Sequence, residues 1–128
     1  MKDELLRSSD VVTIHLVLSR RTRGLIGAPE LALMKPTAFL VNTSRGPIVD
    51  EAALVAALVS GTIAGAGIDV YDREPLPQDH PLRTAPDTVL TPHLGYVTEE
   101  NYRLFYEQTV EDVEAFVAGQ PVRVLSRP

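Results

Sequence analysis

The chain contains no cysteine. That excludes a disulfide, a thiol nucleophile and cysteine-ligated zinc. Its three histidines, His15, His80 and His93, are far apart in the sequence and make no recognisable metal motif. No concentration of positive charge is present either: 12 Lys and Arg, scattered, stand against 17 Asp and Glu, for a net charge of −5. A nucleic-acid partner is therefore not expected. No uninterrupted apolar run approaches the roughly 20 residues that span a bilayer, and the opening stretch MKDELLRSSD has no apolar signal core. The expectation is a soluble, cytoplasmic protein with no membrane partner. Internal repeats and low-complexity segments are also missing.

What is present suits one globular domain and is too short for two: 128 residues, 45% hydrophobic. Lys2 to Arg7 reads as a helix end, followed by the β-branched strand VVTIH from Val11. APELALMKP reads as a helix that stops before Pro36, and AFLV (Ala38 to Val41) as a strand. Asp50 is a good N-cap for a helix running to about Ser60, with Leu54, Val55, Leu58 and Val59 as its inward stripe and Gly61 as its stop. IAGAGIDV (Ile63 to Val70) reads as a strand, a proline-rich loop follows, and TVLT (Thr88 to Thr91) is a short strand. From Thr98 a single long helix is expected, with Glu99 and Glu100 in its first turn and Gly119 and Pro121 at its stop. This alternation predicts an α/β fold built from βαβ units on a parallel sheet.

In such a sheet ligands bind beyond the carboxyl ends of the strands. The residues there are Asn42-Thr43-Ser44-Arg45 after one strand, Asp69 and then Glu74 after the next, and Pro92-His93-Leu94-Gly95 after the last. An arginine, two carboxylates and a histidine thus share one edge. The fork of Arg45 suits a small carboxylate, gripped by two hydrogen bonds. Histidine titrates near the working pH and suits proton transfer to a hydroxyl oxygen. A neighbouring carboxylate favours the imidazolium form, which gives Glu74 a role beside His93.

The stretches NTSRGPIVDEAAL, AGAGIDVYDREPLP and TPHLG resemble the signature segments of the D-isomer-specific 2-hydroxyacid dehydrogenases, a family that includes D-3-phosphoglycerate dehydrogenase and the hydroxypyruvate and glyoxylate reductases. The resemblance runs over nearly the whole chain. It implies a partial Rossmann-like, doubly wound sheet over residues 1–97 and, over 98–128, a long helix and tail that returns toward the family's substrate-binding domain. It also implies catalytic roles for Arg45 on the substrate, His93 as general acid and base, and Glu74 as its partner. Leu16, Thr43, Ser44, Arg45, Asp69, His93, Gly95 and Tyr96 are the implied contacts to NAD. A small 2-hydroxy or 2-oxo acid is the implied substrate, and a homodimer the implied state of the full-length enzyme.

The sequence departs from the family pattern in one large respect. It holds no G-x-G-x-x-G, because GAGIDV has Val70 where the third glycine belongs and lies within a strand. Its glycines are read instead as permitting close packing. The chain is therefore read as the carboxyl-terminal portion of an oxidoreductase, inactive by itself. The competing reading is an inactive, truncated remnant that serves only as a folding or dimerisation module. NADP is left open beside NAD, since the residue that reads the ribose is absent from the sequence. Val17 also stands where the family has a proline, at the adenosine side near Leu16.

Overall fold

A computed structural model describes residues 2–125. The chain divides into two compact units, Met1–Gly95 and Tyr96–Pro128. In the first, α1 (Lys2–Ser8), β1 (Val11–Ile14), α2 (Ala28–Leu31), β2 (Phe39–Asn42), α3 (Glu51–Val59), β3 (Gly65–Ile68) and β4 (Thr88–Leu90) follow one another, with 3-10 turns at Gly46–Ile48 and Pro81–Arg83. The sheet has the order β1-β2-β3-β4, every pair parallel, as the alternation of elements predicts.

Register decides which side chains become core. Val12, Leu40 and Ala66 lie abreast, as do Ile14, Asn42 and Ile68, and all six are buried. With a side-chain period of two, Val11, Phe39 and Val89 fall on the opposite face, where they are exposed. The buried face packs into one core with Leu31, Met34, Ile48, Leu54, Leu58 and Leu82. In β3, an added Cβ at Gly65 would lie 2.5 Å from the Asp87 carbonyl oxygen and 3.0 Å from the Phe39 ring. Close packing, not phosphate binding, accounts for that glycine.

α3 begins where expected: the Asp50 carboxylate accepts the Ala53 N–H at 3.0 Å. Its inward stripe needs correcting. Leu54 and Leu58 are buried, Val55 is half-buried, and Val59 is 69% exposed. Ala57 takes the fourth place, because its small side chain lets the helix lie close to its neighbours, whereas Val59 is the last helical residue.

The second unit is α4 (Glu99–Val117) with the segments flanking it. Thr98 Oγ accepts the Asn101 N–H at 3.2 Å, and beyond the helix the Gln120 N–H returns to the Ala115 carbonyl at 2.9 Å. No residue of α4 is buried. The expected tail extends to residues 126–128, which lie outside the described residues. Among the described residues no helix is long and apolar enough to cross a membrane, and no cluster of His, Asp and Glu is placed to hold a metal ion.

Candidate active site

The parallel ladder continues past the strands and draws their ends level. The Asp69 N–H donates to the Asn42 carbonyl at 3.0 Å, and the His93 N–H donates to the Asp69 carbonyl at 2.8 Å. Residues following β2, β3 and β4 therefore lie side by side at the carboxyl edge, where open α/β sheets bind ligands.

Asn42 builds the loop that carries Arg45. Fully buried at the end of β2, its amide donates to the Arg45 carbonyl at 3.0 Å and its Oδ1 accepts the Ser44 N–H at 3.1 Å. Ser44 Oγ donates to the Ile14 carbonyl at 2.7 Å, which ties the same loop to β1. Arg45 itself is exposed, with Nη1 donating to the Ser44 carbonyl at 2.6 Å. Sequence reasoning gave Asn42 no role, although a polar residue closing a buried strand is a signal that its side chain has backbone partners.

Glu74 and His93 meet across the edge, with His93 Nδ1 2.7 Å from Glu74 Oε2. The other carboxylate oxygen of Glu74 accepts the Tyr71 N–H at 3.0 Å. The loop bearing Glu74 is also tied to α3. Glu51 Oε1 accepts the Asp72 N–H at 2.8 Å, while Glu51 Oε2 lies 3.2 Å from His80 Nε2. His80 Nδ1 accepts the Leu82 N–H at 3.3 Å, so the proton of a neutral ring sits on Nε2 and serves Glu51. That tie was missed from the sequence because its ends lie on different elements.

Burial pushes the Glu74 carboxyl up, but the hydrogen bonds from His93 and the Tyr71 N–H, with the nearby charges of His93 and Arg45, outweigh it and hold the group below its ordinary value. Arg45 is thus electrostatically part of the same cluster. Asp69, 4% exposed, is likewise pushed up by burial, and held low on balance by bonds from the Thr91 hydroxyl and the Leu94 and Gly95 N–H groups, with His93 nearby. Both carboxylates are ionised at neutral pH.

Residues 1–95 match the family described as D-isomer specific 2-hydroxyacid dehydrogenase, NAD binding domain. The chain belongs to this family. It is 45% identical to the glycerate dehydrogenase of Methylorubrum extorquens over 96% of its own length and 40% of that protein's. It is 47% identical to the glyoxylate reductase of Aeropyrum pernix, over 98% of its length and 38% of that protein's. The crystal structure of D-lactate dehydrogenase with NAD+ from Lactobacillus jensenii superposes with a TM-score of 0.83 at 33% identity, covering 98% of this chain and 42% of that one. The chain thus spans about two fifths of the length of these relatives.

NAD is the cofactor of this dehydrogenase family. The strand edge fits part of it. A cleft of about 380 Å³ at the carboxyl ends of β1 and β2 is lined by residues that include Leu16, Val17, Thr43, Ser44 and Arg45. A second, of about 420 Å³, has Glu74 and His93 on its rim beside Tyr71, Leu76 and Arg83. A cleft of about 660 Å³ beside Arg23, Asp50 and His80, larger than either, includes none of the expected dehydrogenase residues, so size does not mark the chemistry here. An added Cβ at Gly95 would lie 3.0 Å from Asp69 Oδ2 and 3.5 Å from the Thr43 Cβ, which makes these three immediate neighbours. Tyr96 opens the second unit, its ring 6.4 Å from that of Phe105.

Proposed function

We propose that this chain carries the carboxylate-binding and proton-transfer groups of a NAD(P)-linked oxidoreductase interconverting small 2-oxo acids and D-2-hydroxy acids. The observation that carries this reading is the 2.7 Å contact of His93 Nδ1 with Glu74 Oε2, on the strand edge that also presents Arg45. The ionised Glu74 accepts the Nδ1 proton, which makes Nε2 the ring atom that exchanges a proton with the substrate oxygen. Arg45 grips the substrate carboxylate through its guanidinium fork and polarises the carbonyl. Leu16, Thr43, Ser44, Asp69 and Gly95 contribute to the surface against which the cofactor lies. NAD, when bound, supplies or accepts the hydride. Glyoxylate, and glycerate in the reverse direction, are the first substrates to try, because the glyoxylate reductase and the glycerate dehydrogenase named above are close in sequence. The working enzyme is proposed to be a cytoplasmic homodimer.

The chain alone is proposed to be inactive, because its sequence holds no glycine-rich loop for the pyrophosphate. An inactive folding or dimerisation module is the second reading, favoured by the unburied surface of α4. One assay separates the two. Fused behind the amino-terminal part of the Methylorubrum glycerate dehydrogenase, in place of that protein's matching segment, the chain should support oxidation of NADH by glyoxylate. His93→Gln in the fusion should lower turnover about 10²–10⁴-fold, the usual contribution of a positioned proton donor. A folded fusion with no turnover, or a His93→Gln fusion as fast as its parent, sinks the catalytic reading.

A further inference from the structure

We infer that Asp69 is a positioning residue for His93: its buried carboxylate and its carbonyl together set the backbone of the Pro92–Gly95 turn, and that setting turns the imidazole to Glu74. The inference rests on the proposed role of His93 and asks what holds the ring in place.

Proline has no N–H, so the turn has three amide donors, those of His93, Leu94 and Gly95. All three end on Asp69. The His93 N–H donates to the Asp69 carbonyl at 2.8 Å, the Leu94 N–H to Oδ1 at 2.7 Å and the Gly95 N–H to Oδ2 at 2.8 Å. The Thr91 hydroxyl also donates to Oδ1, which fixes the carboxylate from the β4 side. The Leu94 and Gly95 amides converging on one carboxylate form a nest, an arrangement to which a backbone with one residue in the left-handed region is suited. That residue is His93, with φ +59°. A residue with a β-carbon seldom adopts this conformation unless its surroundings enforce it. From that backbone the ring reaches Glu74 Oε2 with Nδ1 at 2.7 Å.

The fit is close enough to restrict the residue types. A Cβ at Gly95 would lie 3.0 Å from Asp69 Oδ2, so that the carboxylate or the turn has to give by a few tenths of an ångström. Asparagine at position 69 would keep one acceptor oxygen and turn an amide donor toward the turn's N–H groups. Either change should release the turn, return His93 toward negative φ and draw its ring away from Glu74.

Nuclear magnetic resonance on the whole chain tests this without any turnover measurement, so a failure of the reductase assay leaves the test intact. In the wild type, the amide protons of Leu94 and Gly95 should titrate with the same midpoint as the Asp69 carboxyl carbon. In Asp69→Asn, hydrogen-exchange protection at those amides should fall about tenfold or more, as expected for losing bonds to a charged acceptor. The Glu74 carboxyl midpoint should rise toward that of an ordinary carboxylate. The sign is diagnostic. Removing the negative charge of Asp69 would by itself lower the Glu74 midpoint, whereas departure of His93, with the Tyr71 N–H and Arg45 still in place, raises it. Gly95→Ala keeps the charge and should raise the Glu74 midpoint too, which covers the case in which Asp69→Asn does not fold. A Glu74 midpoint that stays put or falls in a folded variant overturns the inference, as do Leu94 and Gly95 amides that ignore the Asp69 titration.

Discussion

Arg45 combines a fixed charge with a planar pair of donors, and its two proposed tasks use both. Lysine keeps the charge and loses the fork. In the fused enzyme, Arg45→Lys should therefore raise the Michaelis constant for glyoxylate and lower turnover as well, leaving the constant for NADH nearly unchanged. Steady-state kinetics with each substrate varied in turn would show it, and a change confined to the NADH constant would contradict the role. Asp69 belongs at this scale for its effect on stability. Its carboxyl titrates lower in the folded chain than in the unfolded one, so its contribution is full above the unfolded value and is lost as pH falls through the folded one. Asp69→Asn should cost about 2 kcal/mol at neutral pH, the worth of hydrogen bonds to a charged group. The difference between the two chains should shrink on acidification, as urea unfolding at neutral pH and near pH 3 would measure. The placing of Arg45, Glu74 and His93 at the carboxyl edge of the sheet was legible in the sequence because each follows a strand. Asn42 and the full role of Asp69 were not, because their partners are backbone groups that only the folded turns bring near.

At the scale of the element, the helix caps were legible, whereas the helix expected to run up to Pro36 ends at Leu31. Both Asp50 and Thr98 accept the N–H three residues on, a geometry set within a single turn. Replacing Asp50 with Ala should lower stability by about 1 kcal/mol, with the urea midpoint falling and the slope unchanged. A shift in slope instead would mean that α3 had lost more than its cap. Strand limits were read too long, because apolar residues continue past the point where the ladder ends: Ile63 is core although β3 starts at Gly65, and Val70 is buried beyond its end. The stripe of α3 failed at Val59 for a related reason. A periodicity of 3.6 says which side chains share a face but not where along the axis the neighbouring elements stop, and the residue that closes α3 has nothing over it. The tie from Glu51 through Asp72 and His80 is a contact between elements, with no local signature to reveal it.

On the scale of the whole molecule, large apolar side chains are exposed in both compact units. Parallel sheets are ordinarily covered on both faces, yet Val11, Phe39 and Val89 are exposed on one face of this sheet. In the second unit Phe105, Tyr106, Val110, Val113 and Phe116 are all at least half exposed along α4. Exposed apolar areas of this kind promote association. At concentrations of tens of micromolar the isolated chain should bind an apolar dye and sediment as more than a monomer, and a compact monomer without dye binding would contradict that. The same chain should bind NAD poorly. Most of the grip on a dinucleotide in a Rossmann domain comes from the pyrophosphate at a glycine-rich turn and helix N-terminus, and no G-x-G-x-x-G occurs in this sequence. The surface proposed for the cofactor is the cleft from Leu16 to Arg45 with the neighbours Thr43, Asp69 and Gly95. Beside it the sequence has no glycine-rich turn at a helix N-terminus to take the phosphates, so the dissociation constant should be on the order of millimolar or weaker. Titration calorimetry on the chain alone and on the fused enzyme distinguishes the possibilities. Micromolar binding by the chain alone would show that the strand-edge residues suffice for affinity, whereas micromolar binding by the fusion alone would confine their contribution to orientation and chemistry.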